Sequence, residues 1–326
     1  MILGNMTFNR WLNLIALYKK QLTIFGMVLL ILLITLLHND VYGGRNYRQD
    51  EINSVHASRI MTPSEIVQWM ATDVHPPGWR LFAEAWVEAF GGVEQITRWS
   101  STLLNMLTFA LLFQLGKRVI DTRTAFFAVA LLGIFGFASS AMTELRPYPM
   151  LITITTALHL IFYIWLKRPS GRLMVIYVML GVAGLYTHFF SVFIFPVHAL
   201  FMLIFVRYDR KLWLDSFLMW FFIGLSFTAW IVPFLYVILV PFPGGIYYAI
   251  PEGLVGLEIL YRRIRFEPEV IQHFLLIFSL FAPTLLLTHK TTHHPKFRGY
   301  KHWGLLYPLS ILVFTFAITF LSNAII

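Results

Sequence analysis

Apolar runs of roughly span length alternate with short polar clusters through this chain, at 21–37, 99–115, 124–142, 149–166, 173–189, 190–206, 213–238, 270–288 and 303–324. Each is close to the ~20 residues that a helix needs to cross a hydrocarbon core, which predicts nine membrane-spanning helices. The first half has one long interruption, residues 38–98. It opens at His38-Asn39-Asp40, carries Asp50-Glu51 and Asp73-Val74-His75-Pro76-Pro77-Gly78, ends at Arg98, and holds eight of the 16 acidic residues. Residues 8–20, basic and amphipathic, are expected to lie on the membrane surface before the first span. No small-residue cleavage pattern follows that span, which reads as a retained anchor.

Local signals divide the interruption into short helices. Tyr42-Gly43-Gly44-Arg45 is turn-like, and a helix over about 50–60 sets Asp50 and Glu51 in its first turn, where the helix dipole favours carboxylates. Thr62-Pro63-Ser64-Glu65 is a helix start, with Thr62 as N-cap, Pro63 at the first helical position and Glu65 closing a capping box. Residues 76–90 place Arg80, Glu84 and Glu88 at i, i+4, i+8, opposite Leu81, Phe82, Ala85, Trp86 and Ala89. That pattern describes an interfacial helix, which Gly91-Gly92 closes.

Composition and charge turn this pattern into a topology. With 58% hydrophobic and 13% charged residues, the chain is too apolar for a soluble globule of its size. The net charge of +9 does not indicate nucleic acid, because the basic residues form short clusters between apolar runs. With nine spans and the N-terminus inside, 16 of the 25 basic residues face the cytoplasm and 13 of the 16 acidic residues face outward. Counting 76–90 as a span would reverse this, against the positive-inside rule. The reading is an all-α, polytopic membrane protein forming a single transmembrane domain over 1–326, with its N-terminus cytoplasmic and 38–98 extracytoplasmic. A second outer loop, 239–269, has the length and Pro/Gly turns of a lid. The absence of cysteine excludes disulfides, thiolate metal sites and a cysteine nucleophile.

Six features occur in order: an Asp-Glu pair after the first span, His75-Pro76-Pro77, Arg98-Trp99-Ser100-Ser101, Gly116-Lys117-Arg118, Glu144-Leu145-Arg146-Pro147-Tyr148, and Tyr186-Thr187-His188-Phe189-Phe190. This series resembles the GT-C superfamily of polytopic glycosyltransferases, in its protein mannosyltransferase and aminoarabinose transferase branch, over about residues 20–210. The resemblance implies inverting transfer of a sugar from a polyprenyl-phosphate carrier to a lipid, glycan or protein acceptor, at the outer face of a bacterial inner or plasma membrane. It maps the family's general base or acceptor-orienting group to Asp50, with Glu51 as its neighbour in the catalytic pair. The two differ by about 100° around a helix, so they are not expected to face the same atom.

Inverting transfer needs a carboxylate near the acceptor hydroxyl and cationic or hydrogen-bonding groups at the leaving phosphate. Candidates for substrate binding are His75, Arg98, Glu144, Arg146, Tyr148 and His188, with Tyr247, Arg262, Arg263 and Arg265 in the second loop. Every outer basic residue is arginine, whose fork suits phosphate. For Arg98 and Arg146 taken singly, snorkelling at a span end is the simpler reading, and Glu144 has a simple role as their ion-pair partner. His289, His293, His294 and His302 look like a metal patch, but their charge context sets them inside. No cofactor is assigned, and a divalent metal stays open.

Family members usually continue through more spans, so the chain reads as C-terminally shortened. The alternative function is therefore a non-catalytic relative serving as scaffold or accessory subunit for membrane-protein partners. A transporter is disfavoured, since no carboxylate of an inner span lies near mid-membrane.

Overall fold

The computed structural model describes residues 2–235, except 43, 45, 74, 135–142, 207, 208 and 234. The described residues are all-helical: α1 (Ile2–Tyr42), α2 (Gln49–Ile60), α3 (Pro63–Met70), α4 (Gly78–Phe90), α5 (Glu94–Val119), α6 (Thr122–Ile134), α7 (Pro147–Lys167), α8 (Gly171–Thr187), α9 (Ile194–Phe205) and α10 (Arg210–Phe227), with short 3-10 turns at Phe189–Phe193 and Thr228–Trp230. Among the described residues three segments are long and apolar enough to cross a membrane, Tyr18–Asn39, Pro147–Lys167 and Arg210–Pro233. The apolar helices α6 and α8, and the run through α9, fall on further expected spans but are shorter. The runs 270–288 and 303–324, the second loop with Tyr247, Arg262, Arg263 and Arg265, and the histidines from 289 to 302 lie outside the described residues.

The first helix departs from expectation. Residues 8–20 and the first span form one helix of 41 residues, which also runs through His38-Asn39-Asp40. At 1.5 Å per residue it is about 60 Å long, twice a hydrocarbon core, so it extends beyond the bilayer. Leu17-Tyr18-Lys19-Lys20-Gln21 offers neither proline, glycine nor a capping side chain to interrupt it. His38 is buried and its Nε2 lies 2.7 Å from the carbonyl oxygen of Gly133, so the polar interruption begins inside a packed helix.

Two apolar clusters build the membrane part. One joins α1, α5 and α6 through Met27, Ile31, Ile34, Phe109, Phe113 and Val129. The other joins α7 to α10 through Leu158, Phe162, Trp165, Tyr177, Phe201 and Met219. Lipid is as apolar as these side chains, so tight packing and interhelical hydrogen bonds hold such helices together. The α5–α7 contact carries one, between the Thr108 and Thr153 hydroxyls at 2.8 Å.

The short helices of 38–98 form where the local signals placed them. Thr62 and Glu65 make the expected capping box, the Glu65 carboxylate accepting the Thr62 N–H at 2.7 Å. Gly91 ends α4 with φ of 90°, a left-handed conformation that glycine adopts without strain. α4 also buries a face that the interfacial pattern did not mark. Trp79, Ala83 and Val87 point inward, while Ala85 and Ala89 are exposed. The reason is tertiary: α4 packs on α2, α5 and α8, where Trp79 and Ala83 join Val55 and Leu145 in a small core. This packing carries Arg80 towards α2 rather than towards solvent.

Candidate active site

Asp50 and Glu51 open α2, and their side chains leave it in different directions. Glu51 is fully buried and its carboxylate is saturated. Arg98 donates to it through Nε at 3.0 Å and Nη2 at 2.9 Å, and the backbone N–H groups of Leu145 and Arg48 add bonds of 3.0 and 2.9 Å. Burial pushes the Glu51 carboxyl upward, but these donors outweigh it and hold the group below the usual carboxylate range. Asp50 instead pairs with Arg146 at 2.8 Å and keeps 56% of its side chain exposed.

Both acids thus grip the same short segment, Glu144-Leu145-Arg146, from α2. The segment is also held from α5, where Ser101 Oγ donates to the Glu144 carbonyl at 2.6 Å. The Glu144 carboxylate faces Arg48 at 2.9 Å and Arg146 at 3.9 Å. Burial raises its pKa and the two arginines only partly oppose this.

A second group of polar residues comes from the turn before α4 and the end of α8. The Asp73 carboxylate accepts the His75 backbone N–H at 2.9 Å and lies 3.2 Å from His75 Nδ1. The His75 ring stands edge-on to His188 at 5.0 Å, and His188 lies 5.8 Å from the Tyr148 ring. Arg146 covers the other side of this arrangement, 4.9 Å from the Tyr148 ring centroid. Asp50 of α2, Arg146, the aromatic face of Tyr148 and the two histidines are therefore linked by successive contacts into one polar and aromatic cluster. Carboxylate, guanidinium and aromatic faces in one place suit a substrate with hydroxyls, a phosphate and a sugar ring.

A family model described as dolichyl-phosphate-mannose-protein mannosyltransferase matches residues 74–237. The chain belongs to this mannosyltransferase family. No curated protein and no solved structure matches it. Family membership together with the apolar helices makes it an integral membrane glycosyltransferase of the GT-C type, and the family implies a lipid-linked sugar donor. The matched stretch contains His75, Arg98, Glu144, Arg146, Tyr148 and His188, whereas Asp50 and Glu51 precede it.

Within this candidate site of the mannosyltransferase-family chain His188 has a defined protonation. Burial, then the neighbouring His75 and Arg146, push its pKa down to about 3. Its Nδ1 accepts the Phe190 N–H at 3.2 Å, so the neutral ring carries its proton on Nε2 and acts as an uncharged donor. Among the described residues no group of three or more His, Asp or Glu side chains is placed to hold a metal ion.

Two residues at the site escape sequence reasoning. Asp73 reads as a loop acid, and its bond to His75 Nδ1 depends on a turn that only the folded backbone shows. Arg80 reads as the start of a charged surface stripe. In the fold its Nη1 donates to Ser54 Oγ, one turn beyond Asp50 on α2, and its guanidinium lies 5.1 Å from the Trp69 ring centroid. Burial lowers its pKa, while Asp73 and Asp50 oppose the shift and Arg146 adds to it, so all three are within electrostatic reach.

Proposed function

We propose that this protein transfers a sugar from a polyprenyl-phosphate carrier to an acceptor hydroxyl at the extracytoplasmic face, with inversion at the anomeric carbon. The distribution of basic residues supports that orientation, because the nine-span reading sets the clusters around 117–123, 167–172 and 207–211 on the opposite side from 38–98. One observation carries the assignment of the base: Asp50 is the member of the acidic pair with an open face, while every accepting direction of Glu51 is directed at a protein donor.

In this reading Asp50 takes the proton of the acceptor hydroxyl. The acceptor oxygen bonds to the anomeric carbon from the face opposite the phosphate. The bond from that carbon to the phosphate oxygen breaks, and its electron pair leaves with the carrier phosphate. Arg146 orients the Asp50 carboxylate, Tyr148 offers a ring face to the sugar, neutral His188 supplies a donor to a substrate oxygen, and His75, held by Asp73, borders the same space. Glu51 and Arg98 act through position, holding α2 and the 144–146 segment at a fixed distance.

The test is transfer from polyprenyl-phosphate sugars by the purified chain, comparing wild type with Asp50→Asn. Transfer by wild type and its loss in the variant are expected. Full transfer by Asp50→Asn removes Asp50 from the mechanism, and a wild type that transfers no sugar under any donor supports the accessory-subunit reading instead.

A further inference from the structure

The arginines around the site are not equivalent. Arg48 pairs with Glu144, Arg98 with Glu51 and Arg146 with Asp50. Among the described residues Arg80 makes one hydrogen bond, to Ser54 Oγ, and no carboxylate stands in ion-pair contact with it. A partly buried guanidinium carries an unfavourable desolvation that a counter-charge normally offsets. Arg80 lacks that counter-charge in contact, although Asp50 and Asp73 lie near enough to be felt. It is nevertheless held firmly. Trp69 of α3 lies under the guanidinium, and Ser54, which itself donates to the Asp50 carbonyl at 2.7 Å, fixes one corner of the fork.

This placement relates Arg80 to Asp50. Ser54 follows Asp50 by four residues, so both project from the same face of α2, one turn apart. The guanidinium is thus tied to α2 one turn beyond the proposed base and within its electrostatic reach, with His75 in the turn before its own helix. A group displaced from the anomeric carbon leaves as a phosphate, and a guanidinium fork with donors beyond its Ser54 bond and no carboxylate in contact suits that charge.

We propose that Arg80 is a catalytic residue that binds the donor phosphate, accepting the negative charge that develops on the phosphate oxygen as its bond to the sugar breaks. This rests on the polyprenyl-phosphate reading above and adds to it the group that supplies its counter-charge. Trp69 and Ser54 preorganise the fork, so donor binding needs little rearrangement of the side chain.

The proposal is tested by binding of geranylgeranyl phosphate, against geranylgeraniol, to the full chain in nanodiscs. Wild type is expected to prefer the phosphate at least about tenfold, the range of a hydrogen bond to a charged group. Arg80→Gln should abolish the preference and Arg80→Lys keep part of it. Ser54→Ala, which removes the hydrogen bond and spares the charge, should keep most of it. An undiminished preference in Arg80→Gln overturns the assignment while leaving the polyprenyl-phosphate reading intact. Equal loss in Ser54→Ala and Arg80→Gln also overturns it, since Arg80 would then act only by packing on α2. A wild type without preference for the phosphate overturns the underlying reading as well. Thermal unfolding of each variant identifies one that does not fold, and in that event Arg80→Lys and Ser54→Ala decide.

Discussion

Asp50 and Glu51 are neighbours in the chain but answer to different arginines, Asp50 to Arg146 at 2.8 Å and Glu51 to Arg98 at 2.9 Å. The first pair is open to the surface and the second is closed to it. Substitution should therefore separate chemistry from stability. Asp50→Asn is expected to lower transfer by about 10²-fold or more, the range for loss of a general base, and to move stability by less than about 0.5 kcal/mol. Initial rates and unfolding in the same detergent check both halves.

Glu51→Gln should behave in the opposite manner. It leaves Arg98 with only the half-buried Glu94, 3.2 Å away, as counter-charge, which costs about 1–3 kcal/mol. The double variant Glu51→Leu with Arg98→Met should be more stable than Glu51→Leu alone, because the buried guanidinium that keeps only Glu94 as partner is gone. A double-mutant cycle read by chemical unfolding measures this coupling. Additive losses would show that the pair does not act as a unit.

Acid should weaken the fold through His188 before it reaches the carboxylates. The folded pKa is about 3 against an ordinary 6.5, so below pH 6.5 the unfolded chain binds a proton that the folded chain refuses. Stability from this group is complete above 6.5 and falls as pH drops toward 3. Glu51 adds a loss only further down, since its folded pKa lies below the ordinary 4.5. The groups facing His188 are His75, Tyr148 and Arg146, with Asp73 behind His75. Unfolding measured from pH 7 to pH 5 should show a slope in wild type that is smaller in His188→Gln. An identical slope would assign the acid sensitivity to another histidine.

Much of the helical layout was legible because its signals are local. Thr62, Pro63 and Glu65 mark a helix start within four residues, and Gly91 marks a stop within one. What was not legible depends on partners distant in the chain. The face that α4 buries is chosen by Val55 and Leu145, which no periodicity within 78–90 can reveal. The same packing hid Arg80. The acidic pair was found by its position after the first span, but the division of labour between its members is set by residues 144–146 and Arg98, some 47 to 94 positions away. A lone Glu144-Leu145-Arg146 between two apolar runs gives no sign that both acids will hold it.

Gly78 is the last such case, because its role comes from another helix. A Cβ at this position would lie 2.5 Å from the Tyr186 carbonyl oxygen and 2.9 Å from its carbon. The obstacle is the backbone of α8, so neither a rotamer change nor a flexible tip can relieve it. Gly78→Ala must push the start of α4 away from the end of α8, separating His75 from His188 and tilting Arg80 relative to Asp50. Overpacking of this kind costs about 1–3 kcal/mol. Transfer should fall further than that loss of stability alone explains, since reacting groups displaced by about 1 Å can lose 10²-fold in rate. Gly224, with nothing within 4 Å of its added Cβ, provides the control. Gly224→Ala should leave transfer near wild type, and comparable losses in both variants would detach the α4–α8 contact from catalysis.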